Sequence, residues 1–162
     1  MTAFQPPRGN APGPQLEGRV ALVFGAGSAG DGWGNGKASA VAYARAGARV
    51  VAVDVDGDAA AVTRDIIRGE GLEAISVAAD VTRLADVQQA VGQALAAFGR
   101  IDVLHNNVGI TSQGGPIETT EDTWDRVMTV NAKSMFLTCK CVLPVMLEQG
   151  LSLIHISEPT RL

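Results

Sequence analysis

RVALVFGAGSAGDGWGNGKASAVAYARAGARVVAVD (19–54) decides the fold. It opens with RVALVF (19–24), a short run apolar at nearly every position, and closes with another, ARVVAVD (48–54). Continuous apolarity suits strands buried on both faces, which is the condition of a parallel sheet. Between them lies KASAVAYARAG (37–47), a helical segment with Gly47 as its stop. Strand, glycine-rich turn, helix and strand in this order form a βαβ unit.

The same design continues down the chain. EAISVAAD (73–80) and IDVLHN (101–106) are two further strands. DAAAVTRDIIRG (58–69) is a helix with Val62 and Ile66 one turn apart and Gly69 at its end. TRLADVQQAVGQALAAFG (82–99) is another, with Leu84, Val87, Val91, Leu95 and Phe98 as its apolar stripe and Gly99 closing it. A last long helix starts from a cap at Thr119 or Thr120 and runs toward Glu148, with Pro144 bending it or marking its final turns. The expected architecture is α/β: a doubly wound parallel sheet, a Rossmann fold, ending after about four strands. Four of the seven prolines lie in the first stretch, so residues 1–17 read as a loose arm before the domain at 18–150.

Composition narrows the partners. The chain has 162 residues, is 46% apolar and 19% charged, and carries a formal net charge of −4. That balance leaves no basic footprint for nucleic acid. No apolar run approaches the roughly 20 residues of a membrane helix, and the first residues lack the apolar centre of a signal peptide. The expected setting is the cytoplasm, without a membrane. Cys139 and Cys141 lie one residue apart on a helix and point in different directions. They read as free thiols rather than a disulfide or a metal pair. No metal is expected.

Between the first strand and the first helix, GAGSAGDGWGNGKA (25–38) has a composition that phosphate chemistry explains. Gly25 turns the chain off the strand end. Gly34 and Gly36 remove side chains where backbone must approach a pyrophosphate and where helix packs on sheet. The helix N-terminus then offers unpaired N–H groups and a partial positive charge. Asp54 ends the second strand eighteen positions after Gly36. A carboxylate there accepts both ribose hydroxyls of an adenosine and repels a 2′-phosphate, which favours NAD over NADP. As an alternative, Asp54 is a turn residue in DVDGD. Asp80 ends the third strand, within reach of an adenine ring, and also stands ahead of Thr82 as a helix cap.

Together these residues resemble the short-chain dehydrogenase/reductase family over roughly 18–150. The markers are the glycine loop, Asp54, Asp80-Val81, Asn106-Asn107-Val108-Gly109 and Val130-Asn131-Ala132. The resemblance implies cofactor binding by Gly25, Gly27, Gly34, Asn35, Gly36, Asp54, Asp80, Val81, Asn107 and Gly109. It implies a catalytic part for Asn131, which in the family opens the helix locally and holds a water of the proton relay. Asn131 also follows Trp124, Val127 and Met128 on one face, so an amide sits on an apolar stripe and needs partners. The implied reaction moves a hydride between a nicotinamide cofactor and a small alcohol or carbonyl substrate, in a parent enzyme that is a homo-oligomer.

The chain also departs from that family. Phe24 replaces the usual threonine, and eight residues separate Gly25 from Gly34. The extra length, with Asp31 and Trp33, bulges beside the phosphate site, and Asp31 is expected to face solvent. No Tyr-x-x-x-Lys occurs, and the only tyrosine, Tyr43, belongs to the first helix. The tail LSLIHISEPTRL (151–162) falls where a fifth strand and the family's serine would come, but Glu158 stands near the serine's place. The stretch also resembles the in-frame translation of a transposon-type sequencing adapter. The expectation is therefore a non-native tail after about Gly150, an inactive cofactor-binding fragment, and a fourth strand left as an open edge. Two alternatives stay open: a non-catalytic dinucleotide-binding module, and a methyltransferase using S-adenosylmethionine.

Overall fold

The computed structural model describes residues 15–28, 30, 32–150 and 153–156. One parallel sheet runs through it in the order β3-β2-β1-β4-β5. The strands are β1 (Val20–Phe24), β2 (Arg49–Asp54), β3 (Ala74–Ala78), β4 (Val103–Asn106) and β5 (Leu153–Ile156). The helices are α1 (Asn35–Arg45), α2 (Gly57–Gly69), α3 (Leu84–Phe98), α4 (Glu121–Met128) and α5 (Ser134–Glu148). A single π turn, Thr129–Lys133, joins α4 to α5. The doubly wound parallel architecture read from the sequence is the one observed.

Apolarity on both strand faces has the expected cause. Val20, Leu22, Phe24, Val51 and Val53 face one core, shared with Val87, Ala90 and Val91 of α3 and Leu137, Val142 and Met146 of α5. Ala21, Val23, Val50 and Ala52 face the other, against Ala40, Val41 and Ala44 of α1 and Ile67 of α2. The second layer is alanine-rich, which lets α1 lie close to the sheet.

Several expectations change. The sheet has five strands rather than about four, because Leu153–Ile156 pairs in parallel register with Val103–Asn106 and covers the edge of β4. Residues 151–152 and 157–162, which carry most of the expected foreign tail and Glu158, lie outside the described residues. So do residues 1–14 of the expected arm, and Asp31. Residues 15–18 form a turn in which Leu16 N–H donates to Ala46 O at 2.9 Å.

Leu84 starts α3 and is 38% exposed, so the stripe begins at Val87. In α2 the buried face is Ala60, Thr63 and Ile67 while Val62 is exposed, a rotation of one residue from the expected face. The α4–α5 stretch, Glu121–Glu148, is long and apolar enough to cross a membrane by length and composition alone, contrary to expectation. One face of α5 is nonetheless part of the sheet's core, through Leu137, Val142 and Met146. Pro144 lies inside α5, near its end.

Candidate functional site

Parallel strands place every strand-end turn at one edge of the sheet. Phe24 pairs with Val53 on one side and Asn106 on the other, and Asp54 pairs with Ala78. The residues that follow, Gly25, Val55, Ala79 and Asn107, therefore rise together. They line a cleft of about 930 Å³, near the upper end of the ~300–1,000 Å³ typical of ligand pockets. The order β3-β2-β1-β4 reverses direction at β1, the switch point where such sheets hold ligands.

Nine of the ten residues assigned to cofactor binding line this cleft: Gly25, Gly27, Gly34, Asn35, Asp54, Asp80, Val81, Asn107 and Gly109. Gly36 does not. It is buried in the first turn of α1, where an added Cβ would come to 1.8 Å from Gly25 O and 2.7 Å from Asn107 Nδ2. Its bareness serves the packing of helix on turn.

Gly25 has φ +77°, so the chain leaves β1 through a left-handed residue. Its N–H donates to Val53 O at 2.8 Å, and its carbonyl accepts from Asn107 Nδ2 at 3.0 Å. Gly27 N–H donates to Asp54 Oδ2 at 2.8 Å, and Asp56 N–H donates to Oδ1 at 3.1 Å. The Asp54 carboxylate is thus held in one orientation by two backbone groups. A Cβ on Gly27 would stand 2.8 Å from Asp54 Oδ2 and 2.7 Å from Ala59 Cβ. The space in front of this carboxylate exists only because position 27 has no side chain.

The start of α1, through Gly34 and Asn35, opens on the same cleft. Gly34 is the N-cap of α1, no side chain caps the helix, and no acid lies in its first turn. The N–H groups of that turn stand ready for an anion. Ser28 Oγ accepts from Gly34 N–H at 2.8 Å and closes the neck of the lengthened loop.

At the far wall, Asp80 Oδ1 accepts from Thr82 N–H at 2.9 Å and from Thr82 Oγ1 at 2.7 Å. These bonds hold the Asp80 carboxyl below the usual carboxylate range. Thr82 is not the helix cap; the N-cap of α3 is Arg83, so Asp80 stabilises the turn before the helix.

Asn131 lies in the π turn, in keeping with the local helix opening that the resemblance implies. Its amide is spent on the loop after β4: Oδ1 accepts from Ile110 N–H and Nδ2 donates to Ile110 O, both at 2.8 Å. The expected apolar company is not buried, since Trp124 is 60% exposed and α4 has no buried residue. Asn131 is half-buried by the loop instead. At the other end of that loop, Thr138 Oγ1 donates to the Asn106 Oδ1 at 2.8 Å. Asn106 Nδ2 is buried without a partner among the described residues.

The sequence reading missed Ser28, Ala59, Ile110, Arg126 and Thr129, which also line the cleft. Arg126 and Thr129 carried a usable signal, being within about a turn of Asn131 on one helical run. Tyr43 does not line the cleft; its hydroxyl is 2.9 Å from His105 Nδ1 beneath α1, and burial pushes the phenol up. Cys139 and Cys141 are free thiols, and burial raises Cys141. Among the described residues no cluster could hold a metal ion.

Known proteins can now be set beside this geometry. The sequence profile described as short chain dehydrogenase matches residues 19–157. The 2-(R)-hydroxypropyl-CoM dehydrogenase of Xanthobacter autotrophicus is 46% identical over 83 residues, 49% of this chain and 33% of that protein. A short-chain dehydrogenase/reductase crystal structure from Burkholderia xenovorans superposes with a TM-score of 0.84 at 44% identity, covering 89% of this chain and 57% of that one. Hydroxysteroid dehydrogenase from Escherichia coli superposes at 0.80 with 30% identity, over 88% and 58%. The chain thus spans about a third of that curated relative and under three fifths of these two solved chains.

Proposed function

This chain belongs to the short chain dehydrogenase family, and from that premise we propose that it is the cofactor-holding part of an NAD(P)-dependent oxidoreductase that interconverts an alcohol and a carbonyl. The observation that carries this reading is the Asp54 carboxylate, fixed on Gly27 N–H at 2.8 Å and facing the same cleft as the uncapped end of α1. An adenosine ribose and a diphosphate need those two groups at one sheet edge.

The residues present fit such a group. The first turn of α1 binds diphosphate oxygens, and Asp54 orients the ribose and disfavours a 2′-phosphate, so NAD is the preferred form. Asp80 and Val81 bound the adenine. Asn107, through Gly25 O, and Asn131, through Ile110, keep the floor in place, and Gly109 lines it. We extend to Asn131 the part in the proton relay that the resemblance implies. When bound, the nicotinamide supplies hydride acceptance and donation. No Tyr-x-x-x-Lys is present to exchange the accompanying proton, so this chain is read as binding without turnover. A small alcohol or carbonyl substrate, a homo-oligomeric parent built on the exposed α4–α5 face, and a cytoplasmic setting consistent with two free thiols complete the proposal.

Calorimetric titration of the 162-residue chain with NAD, NADP and S-adenosylmethionine tests this reading. The expected order is NAD first, NADP weaker, and no uptake of S-adenosylmethionine. Binding of S-adenosylmethionine alone would assign the cleft to methyl transfer instead.

A further inference from the structure

Thr63 is the polar member of the buried face of α2, set between Ala60 and Ile67 and 0% exposed. Packing alone would be met by valine, which has the same branched shape and no hydroxyl to satisfy. The hydroxyl has one proton to give. In a helix a threonine commonly gives it to the carbonyl four residues back. Here that carbonyl, Ala59 O, is 3.4 Å away, while Ala26 O, in the turn after β1, is at 2.7 Å.

Ala26 O and Gly27 N–H are the two ends of one planar peptide unit. The N–H donates to Asp54 Oδ2 at 2.8 Å. This peptide is therefore gripped at both ends, by Thr63 from α2 and by Asp54 from β2. A carboxylate offers about four acceptor directions. On Asp54, the N–H groups of Gly27 and Asp56 take two of them, which leaves room for a pair of ribose hydroxyls. The aim of those free directions depends on the tilt of the Ala26–Gly27 peptide. Gly27, Asp54 and Ala59 line the cleft, and Thr63 stands one turn behind Ala59, outside it.

We propose that Thr63 is a positioning residue for the ribose subsite, acting through the Ala26–Gly27 peptide on the Asp54 carboxylate. The inference rests on the dinucleotide reading above and adds a determinant of ribose recognition that no ligand touches.

The test compares ADP with 2′-deoxy-ADP, which differ by one hydroxyl that Asp54 would accept. In calorimetry on the 162-residue chain, Thr63→Val is expected to shrink the preference for ADP about fivefold. Thr63→Ser, which keeps the donor, is expected to restore it. Hydrogen exchange without ligand reads the same contact independently of any nucleotide. In Thr63→Val the Gly27 N–H should exchange faster, while the Gly25 N–H, held by Val53 O, stays as in the wild type. Equal losses for both nucleotides, an unchanged preference, no restoration by serine, or unchanged Gly27 exchange would overturn the proposal. Should Thr63→Val not fold by circular dichroism, Thr63→Ala carries the same comparisons. A wild-type chain that binds neither ADP nor NAD overturns the dinucleotide reading, and the ribose role with it. A wild type that binds ADP, beside a variant of unchanged preference, removes only Thr63.

Discussion

The Asn131 side chain brackets the Ile110 peptide, accepting from its N–H and donating to its carbonyl at 2.8 Å each. One amide on the π turn therefore fixes the loop that leaves β4 and forms the cleft floor. Asn131→Ala strands both peptide groups in a half-buried place. The expected cost is about 1–3 kcal/mol, read as a lower urea midpoint, together with faster hydrogen exchange at the Ile110 amide. Asn131→Asp keeps the acceptor but turns a carboxylate oxygen toward Ile110 O, so its defect should be worst at neutral pH and lessen in acid.

Gly27 and Gly36 should fail in different ways. A methyl at 36 meets Gly25 O at 1.8 Å, a backbone atom that cannot step aside. Gly36→Ala is expected to destabilise the fold by about 1–3 kcal/mol or more, visible in a thermal melt without ligand. A methyl at 27 meets the Asp54 carboxylate and Ala59 Cβ. Gly27→Ala should lose NAD binding by over about tenfold with a smaller change in melting.

On the dinucleotide reading proposed above, Asp54 is expected to set the choice between NAD and NADP. Asp54→Asn retains an oxygen for Gly27 N–H but removes the charge that repels a 2′-phosphate. The ratio of NADP to NAD affinity in parallel titrations should rise by about tenfold. An unchanged ratio would show that selection lies elsewhere in the cleft.

Acid stability should follow Asp102. This carboxylate is buried beneath the start of β1, bonded to Arg100, to Arg19 and to Val20 N–H. Burial alone raises its pKa, but those donors outweigh burial and hold it below the usual range. The folded state thus favours the ionised form, and in acid the unfolded chain binds the extra proton. The contribution is complete above the ordinary aspartate value of about 3.9 and is lost as pH falls through the lower folded value. Urea midpoints measured against pH should drop in that window for the wild type and less steeply for Asp102→Asn.

Much of this was legible in the chain, for physical reasons. A strand buried on both faces cannot alternate, so Val20 to Phe24 announces a parallel sheet, and the strand-end turns then rise at one edge. Gly25, Asp54 and Asp80 follow from that order of strands and turns, while Asn107 and Gly109 come from the family resemblance. Asn131 was visible as an amide out of place, though the reason given was wrong: Trp124 and Met128 are exposed, and the partner is Ile110 from a distant loop. The misplacements of Val62 and Leu84 are of one kind, since periodicity fixes the angle between residues but not which of two neighbouring faces meets the sheet. Gly36 read both as room for a pyrophosphate and as room for helix packing, because bareness has the same appearance whether a ligand or a carbonyl needs the space, and the close approach of Gly25 O supports the second.

The cleft's polar framework includes many main-chain atoms: the first-turn amides of α1, the Gly25 carbonyl, the Gly27 and Asp56 N–H groups on Asp54, and the Ile110 peptide. Main-chain atoms are common to every residue type. Mutational drift can therefore rewrite the outward faces of the helices while recognition survives, provided a few bare positions and three or four polar tips are spared. Random mutagenesis scored for nucleotide retention should return a sparse map of intolerance, concentrated at the strand ends and nearly blank elsewhere on the surface.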